Sequence, residues 1–331
     1  MIAMDRPEIA FALNAVRQAT TVAQRIQQEL APAALTKKDR SPVTVADYAV
    51  QALIGCMLEG AFPDAVLVAE EDSAKLRSPG AEEVLRQVTH YVSQRVPHAT
   101  TEAVCTWIDR GAGECGNRFW CLDPIDGTKG FLRSDQYAVA FALLEDHSVQ
   151  VAVLGCPNLS GGCRPEPGGP GSIVVAARGE GAWVGPVAEG ERFVPLRVSS
   201  IASASQTRLL RSFESGHTNV SQIDRLVEVM GVRADPVLMD SQAKYAVLAA
   251  GAGDLLVRLL SPDQPDYREK IWDQAAGSLV VEEAGGRITD LRGESLDFSQ
   301  GRTLAANRGV LASNGHLHQA ALDAVEGVGA V

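Results

Sequence analysis

WCLDPIDGTKGF, residues 120–131, runs from an apolar strand into two aspartates three positions apart. The run Phe119–Leu122 predicts a buried strand that ends at Asp123. Pro124 then bends the chain, so Asp123 and Asp126 can converge on one point at the strand's carboxyl end. Gly127 permits a tight backbone, and Thr128 opens the next element with free N–H groups that can face an anion. A hard cation such as Mg²⁺ takes oxygen ligands, which two carboxylates and an exposed carbonyl such as that of Ile125 would supply. Taken alone, the same residues also describe an Asx-turn in which Asp126 caps a helix.

More acids stand at element ends on either side. Glu70-Glu71-Asp72 follows a short apolar strand at Ala65–Ala69. Asp273, in EKIWDQAAG, starts a predicted helix at Trp272–Ala284 that Gly285-Gly286 closes. An aspartate in a first helical turn is also a dipole-favoured cap. Clustered carboxylates without partners repel, however, and bound cations relieve that cost.

The remaining pattern predicts a layered α/β architecture. Ile9, Leu13, Val16, Thr20, Ala23 and Leu30 recur at helical spacing, and a turn follows at Lys37–Pro42. Asp47 lies near the start of a second helix carrying Leu53, Ile54, Met57 and Leu58, and Val84–Val96 marks a third. Residues 97–118 read as irregular, while Tyr137–Leu144 and Val149–Leu154 read as paired strands. The glycine- and proline-rich stretch Gly161–Gly171 is the expected neighbourhood of a domain boundary, dividing residues 1–160 from 161–331. Beyond it strands alternate with helices at Asn219–Met230, from Ser241, and at Trp272–Ala284.

Composition narrows the function classes. The chain has 331 residues, 46% hydrophobic and 21% charged, enough for two domains with buried cores. Its net charge of -11 and the lack of a basic run argue against a nucleic-acid polymer as partner. No apolar run approaches the roughly 18 residues of a membrane span. With no signal-peptide layout at the N-terminus, a cytoplasmic location is expected. The six cysteines, at 56, 105, 115, 121, 156 and 163, show no metal-finger spacing and are expected to be reduced thiols. GAGECG at 111–116 fits GxGxxG but precedes a strand instead of following one, so it fails the dinucleotide-binding context. His316 and His318 are expected to be solvated.

Taken together, these motifs resemble the lithium-sensitive, metal-dependent phosphatase superfamily of inositol monophosphatases and fructose-1,6-bisphosphatases. More narrowly, the chain is similar to 3′(2′),5′-bisphosphate nucleotidases. The resemblance rests on SPVTVADYAVQ (41–51), EED (70–72), WCLDPIDGTKGFLR (120–133), DSQAKY (240–245), REKIWDQAAG (268–277), EEAGGRITD (282–290) and LDFSQGRTL (296–304). KGFLR, EKIWD and the long connection from Glu71 to Asp123 favour the nucleotidase branch.

The resemblance implies a sugar-phosphatase fold of alternating α-β-α-β-α layers, in two domains with the active site between them. It implies two to three Mg²⁺ ions held by Glu70, Asp123, the Ile125 carbonyl, Asp126 and Asp273, with Asp47 and Thr128 activating the water. Gly127 and Thr128 would bind the scissile phosphate, and His217, Ser241, Lys244 and Arg258 the rest of a small phosphorylated nucleotide. The implied reaction converts 3′-phosphoadenosine 5′-phosphate to AMP and phosphate, with a link to sulfur metabolism. An inositol mono- or polyphosphate phosphatase is the competing reading. A catalytically silent nucleotide-binding regulator is a further one, although all six of the expected acids and water-activating groups are intact.

Overall fold

A computed structural model describes residues 2–37, 41–188, 190, 192–213, 220–261 and 264–330. Two long helices open the chain, α1 (Pro7–Lys37) and α2 (Ser41–Ala61). The α1 residues Ile9, Ala12, Val16, Ala19, Ala23 and Ile26 are all inaccessible to solvent, as their three-to-four spacing requires. Strand β1 (Leu67–Ala69) is followed by α3 (Glu82–Ser93) and α4 (Thr101–Asp109). Helix α4 corrects the irregular reading of 97–118. The Thr100 side chain caps it by accepting from the Ala103 amide, and Val104, Cys105 and Ile108 bury one face.

The strand β2 (Arg118–Asp126) leads into the single turn α5 (Thr128–Leu132). The hairpin β3 (Ala138–Glu145) and β4 (Ser148–Cys156) turns at Asp146 and His147, both at positive φ. A two-stranded ribbon, β5 (Leu159–Ser160) and β6 (Arg164–Pro165), precedes β7 (Ser172–Ala177), β8 (Gly181–Pro186) and β9 (Val194–Pro195). These build a seven-stranded sheet in the order β1-β2-β3-β4-β7-β8-β9, antiparallel except for the β1/β2 pair.

That order sets the expected boundary at residue 160 inside the run of the large sheet. Gly161–Gly171 lies within an excursion between β4 and β7, which pair from Val151 with Ala177 to Cys156 with Ser172. Apart from the β5/β6 ribbon, the chain stays in the large sheet until Pro195.

The second sheet contains β10 (Leu209–Arg211), β11 (Val237–Leu238), β12 (Leu255–Arg258), β13 (Arg287–Thr289) and β14 (Val310–Ser313), in the order β11-β10-β12-β14-β13. Its helices are α6 (Val220–Met230), α7 (Ala243–Ala249), α8 (Ala275–Glu283) and α9 (His318–Gly327). α7 and α8 begin later than expected, so both Ser241 and Asp273 sit in the turns that precede them.

Three hydrophobic clusters define the layers. One joins α1–α4 to one face of the large sheet. The second joins the opposite face to α7, α8 and one face of the small sheet. The third covers the far face of the small sheet with α6 and α9. The order is α-β-α-β-α, and the middle layer ties the two sheets together.

Candidate active site

Parallel pairing brings the first acids together. Leu67, Val68 and Ala69 stand beside Trp120, Cys121 and Leu122, so the next residues, Glu70 and Asp123, leave neighbouring strands at the same carboxyl end. Beyond Asp123 the ladder with β3 skips, since Asp123 faces Ala140 while Asp126 faces Ala138. The bulge at Pro124 and Ile125 bends the strand end, as the proline predicts, and carries Asp126 back toward Asp123. Gly127 follows at φ +94, and a Cβ there would come within 2.7 Å of the Ser241 Cβ. Ser241 is itself left-handed at φ +67, so this approach between the two halves is tight from both sides.

The Asp126 Oδ2 accepts from the Gln242 amide at 2.6 Å. The Gln242 side chain donates to the Trp272 carbonyl at 3.0 Å and accepts from the Gly277 amide at 3.1 Å. One buried glutamine therefore links the DPIDGT turn to the segment carrying Asp273. On the opposite side, Gln51 from α2 donates to the Glu71 carbonyl at 2.6 Å and accepts from the Glu71 amide at 3.1 Å, fixing the EED turn. Neither glutamine was legible as a site residue, because each acts across the fold on another residue's backbone.

The electrostatics are those of an acid cluster short of positive charge. Asp123 is only 2% exposed, and its Oδ1 has no hydrogen-bond partner. Burial, then the charges of Glu70, Asp126, Asp273 and Asp47, push its carboxyl well above the usual range. Burial with the Glu71 and Asp126 charges takes Glu70 to about 7. Burial takes Asp273 to about 8, with Arg258 opposing and Asp126 adding to the rise. Asp47, buried on α2, is raised by burial and by Glu71 and Glu70. α2 packs on α5, whose exposed first residue is Thr128.

Hard oxygen donors, an orphaned carboxylate oxygen and mutual repulsion suit this set to divalent cations. Among the described residues no three Asp, Glu, His or Cys side chains converge on a single ligand point.

A second charge set lies alongside. Lys244, half-buried on α7, donates to Ser212 Oγ at 2.7 Å, and burial plus the neighbouring Arg258 charge pull its amine down to about 8. Lysine on a helix is ordinarily solvated, and this one is not. Arg258 pairs with Glu269 at 3.1 Å. Glu269 in turn accepts from Gln274, which accepts from the Tyr245 hydroxyl. Both cations act on Asp126. Arg133 pairs with Asp240, which holds the KGFLR turn to the start of DSQAKY. His217 lies outside the described residues.

Two other expectations resolve simply. All six cysteines are free. His318 is buried, contrary to its solvated reading, with Ser313 and Thr289 hydroxyls 3.0 Å from its two ring nitrogens. No helix among the described residues is long and apolar enough to cross a membrane.

Comparison with known proteins agrees with this geometry. A profile described as the Inositol monophosphatase family matches residues 5–330. A 3′(2′),5′-bisphosphate nucleotidase of Oryza sativa is 41% identical, covering 96% of this chain and 93% of its own. One from Emericella nidulans is 40% identical, covering 95% and 96%. Among solved structures, a Thermotoga maritima IMPase superposes with a TM-score of 0.64 at 20% identity, covering 97% of each chain, a likeness of fold.

Proposed function

Because the chain belongs to the inositol monophosphatase family, we propose that it is a Mg²⁺-dependent 3′(2′),5′-bisphosphate nucleotidase that removes the 3′-phosphate of 3′-phosphoadenosine 5′-phosphate. The observation that carries this reading is the pairing of opposite charge sets, carboxylates on the β1/β2 ends and the Lys244–Arg258 pair beside Asp126. Burial and the Arg258 charge disfavour the charged form of Lys244, and an incoming anion would offset that cost. A bisphosphate brings that anion in its second phosphate, whereas inositol 1-phosphate does not. Relatives named as bisphosphate nucleotidases support the same choice.

In this reading Glu70, Asp123, the Ile125 carbonyl, Asp126 and Asp273 hold two to three Mg²⁺ ions. When bound, these neutralise phosphoryl charge and acidify the attacking water. Asp47, its carboxyl raised by burial and its acidic neighbours, accepts the water's proton with Thr128 Oγ as the intermediary. The amides of Gly127 and Thr128, at a helix start without a side-chain cap, bind non-bridging oxygens. Lys244 and Arg258 bind the retained phosphate, with Glu269 holding the guanidinium in place. Ser241 and His217 complete the nucleotide contacts, and the division of the chain into two units falls near the change of sheets after Pro195.

The test is phosphate release from 3′-phosphoadenosine 5′-phosphate and from inositol 1-phosphate at equal Mg²⁺. The bisphosphate is expected to be preferred. Lys244→Ala should raise its KM about tenfold or more while leaving inositol 1-phosphate turnover within about twofold. Preference for inositol 1-phosphate would overturn the assignment.

A further inference from the structure

Two acid-bearing segments far apart in sequence, at Glu70 and Asp273, meet through an arginine outside the carboxylate set. The backbone at 302–304 lies antiparallel to 269–271: the Ile271 amide donates to the Arg302 carbonyl at 3.2 Å and the Leu304 amide to the Glu269 carbonyl at 2.9 Å. Asp273 is two residues on. The Arg302 side chain crosses to the other segment, where Nη2 donates to the Ala69 carbonyl, the residue before Glu70. Nη1 donates to the carbonyls of Gly111 and Gly113, at 3.2 and 3.3 Å.

Those glycines give GAGECG a structural purpose. The Ala69 amide donates to Gly111 and the Gly113 amide to Leu67, so this strip closes the free edge of β1. A Cβ on Gly113 would stand 2.4 Å from the Leu67 carbonyl, and one on Gly111 2.5 Å from Gln51 Nε2. Between the segments, the guanidinium lies 4.9 Å from the centre of the Trp272 ring, the residue before Asp273.

We propose that Arg302 is a positioning residue that sets the separation of Glu70 and Asp273 by clamping three carbonyls on one side and the Trp272 ring on the other. Its action runs through backbone placement, since the cation that bears most on the Glu70 carboxylate is Lys270. The role in cation binding rests on the metal-site reading above. The clamp itself does not.

A planar fork donating to several acceptors while stacking on an indole is beyond a lysine ammonium, so Arg302→Lys and Arg302→Ala form a graded pair. In hydrogen exchange of the metal-free protein, amides of 67–71, 111–113 and 269–273 should exchange at least about tenfold faster in Arg302→Ala, with β12 and β14 unchanged. In titrations of the metal-free protein with Mn²⁺, read by electron paramagnetic resonance, the dissociation constant should rise about tenfold in Arg302→Ala and about threefold in Arg302→Lys. Unchanged exchange in both variants would overturn the clamp. Faster exchange with unchanged Mn²⁺ affinity would overturn its role in cation binding. Asp123→Asn separates the two readings: Mn²⁺ affinity equal to the parent's in that variant would overturn the metal site while the exchange data still decide the clamp.

Discussion

Asp123 and Asp254 are both buried aspartates, 2% and 0% exposed, yet the fold treats them in opposite ways. Asp254 accepts from the Arg208 amide, Nε and Nη2 at 2.8–2.9 Å and from the Ser199 hydroxyl. Burial alone would raise its carboxyl, and these donors outweigh burial and lower it. Asp123 has acids for neighbours and one oxygen with no partner, so it rises. The difference teaches that burial does not mark a functional acid. What marks it is burial without the partners that would make the charge stable.

The largest expected effect is on chemistry. Asp123→Asn should lower kcat/KM by at least about 10³-fold, near 4 kcal/mol of transition-state stabilisation. Its melting temperature in chelator should match or exceed the parent's, because a repelling charge is gone. Substantial retained activity would break the comparison on its functional side.

Asp254→Asn should do the reverse, costing about 3 kcal/mol in chemical denaturation by leaving Arg208 without its carboxylate. Molecules that stay folded should keep Mn²⁺ affinity within about twofold of the parent's. A neutral effect on stability would show Asp254 to be less firmly partnered than its hydrogen bonds imply.

Mg²⁺ itself sharpens the contrast. At about 100 times its dissociation constant the ion should stabilise the parent by about 2.7 kcal/mol, read as a rise in melting temperature. Asp254→Asn should show the same increment and Asp123→Asn little of it.

A buried base extends the comparison at a smaller scale. His318 is pushed down to about 4, by burial first and then by the Arg287 charge. The unfolded imidazole takes its proton near pH 6.5. The stability gained by keeping His318 neutral is thus fully present above about pH 6.5 and is lost as pH falls toward 4. Its full amplitude is about 3 kcal/mol. Denaturation of the parent and His318→Gln across that window should show a shallower decline in the variant.

Much of the site was legible because its acids stand where local pattern breaks. A strand carrying Asp123 near its end, another ending before Glu70 and an aspartate beside a helix start all follow from runs of apolar residues and their stops, although β2 runs on through the bulge to Asp126. The partners were not. Gln242 reaches Asp126 across 116 positions and Arg302 reaches Ala69 across 233. His318 looked solvated because its burial depends on what packs over it. That β7 rejoins the large sheet beyond Gly161–Gly171 was hidden for the same reason, since glycine and proline report a break in local structure and say nothing of where the next strand pairs.

The sequence by itself determined which residues carry charge to the ends of elements and which faces seek burial, since both depend on neighbours a few positions apart. Only the tertiary structure decided which ends meet. Parallel register sets Glu70 beside Asp123, and the middle helical layer with β12 brings Lys244, Asp273 and Arg258 to the same pole. Whether a buried charge is satisfied, as at Asp254, or left wanting a counter-ion, as at Asp123, depends on donors supplied from distant strands and helices. Only the folded chain brings those donors within hydrogen-bonding distance.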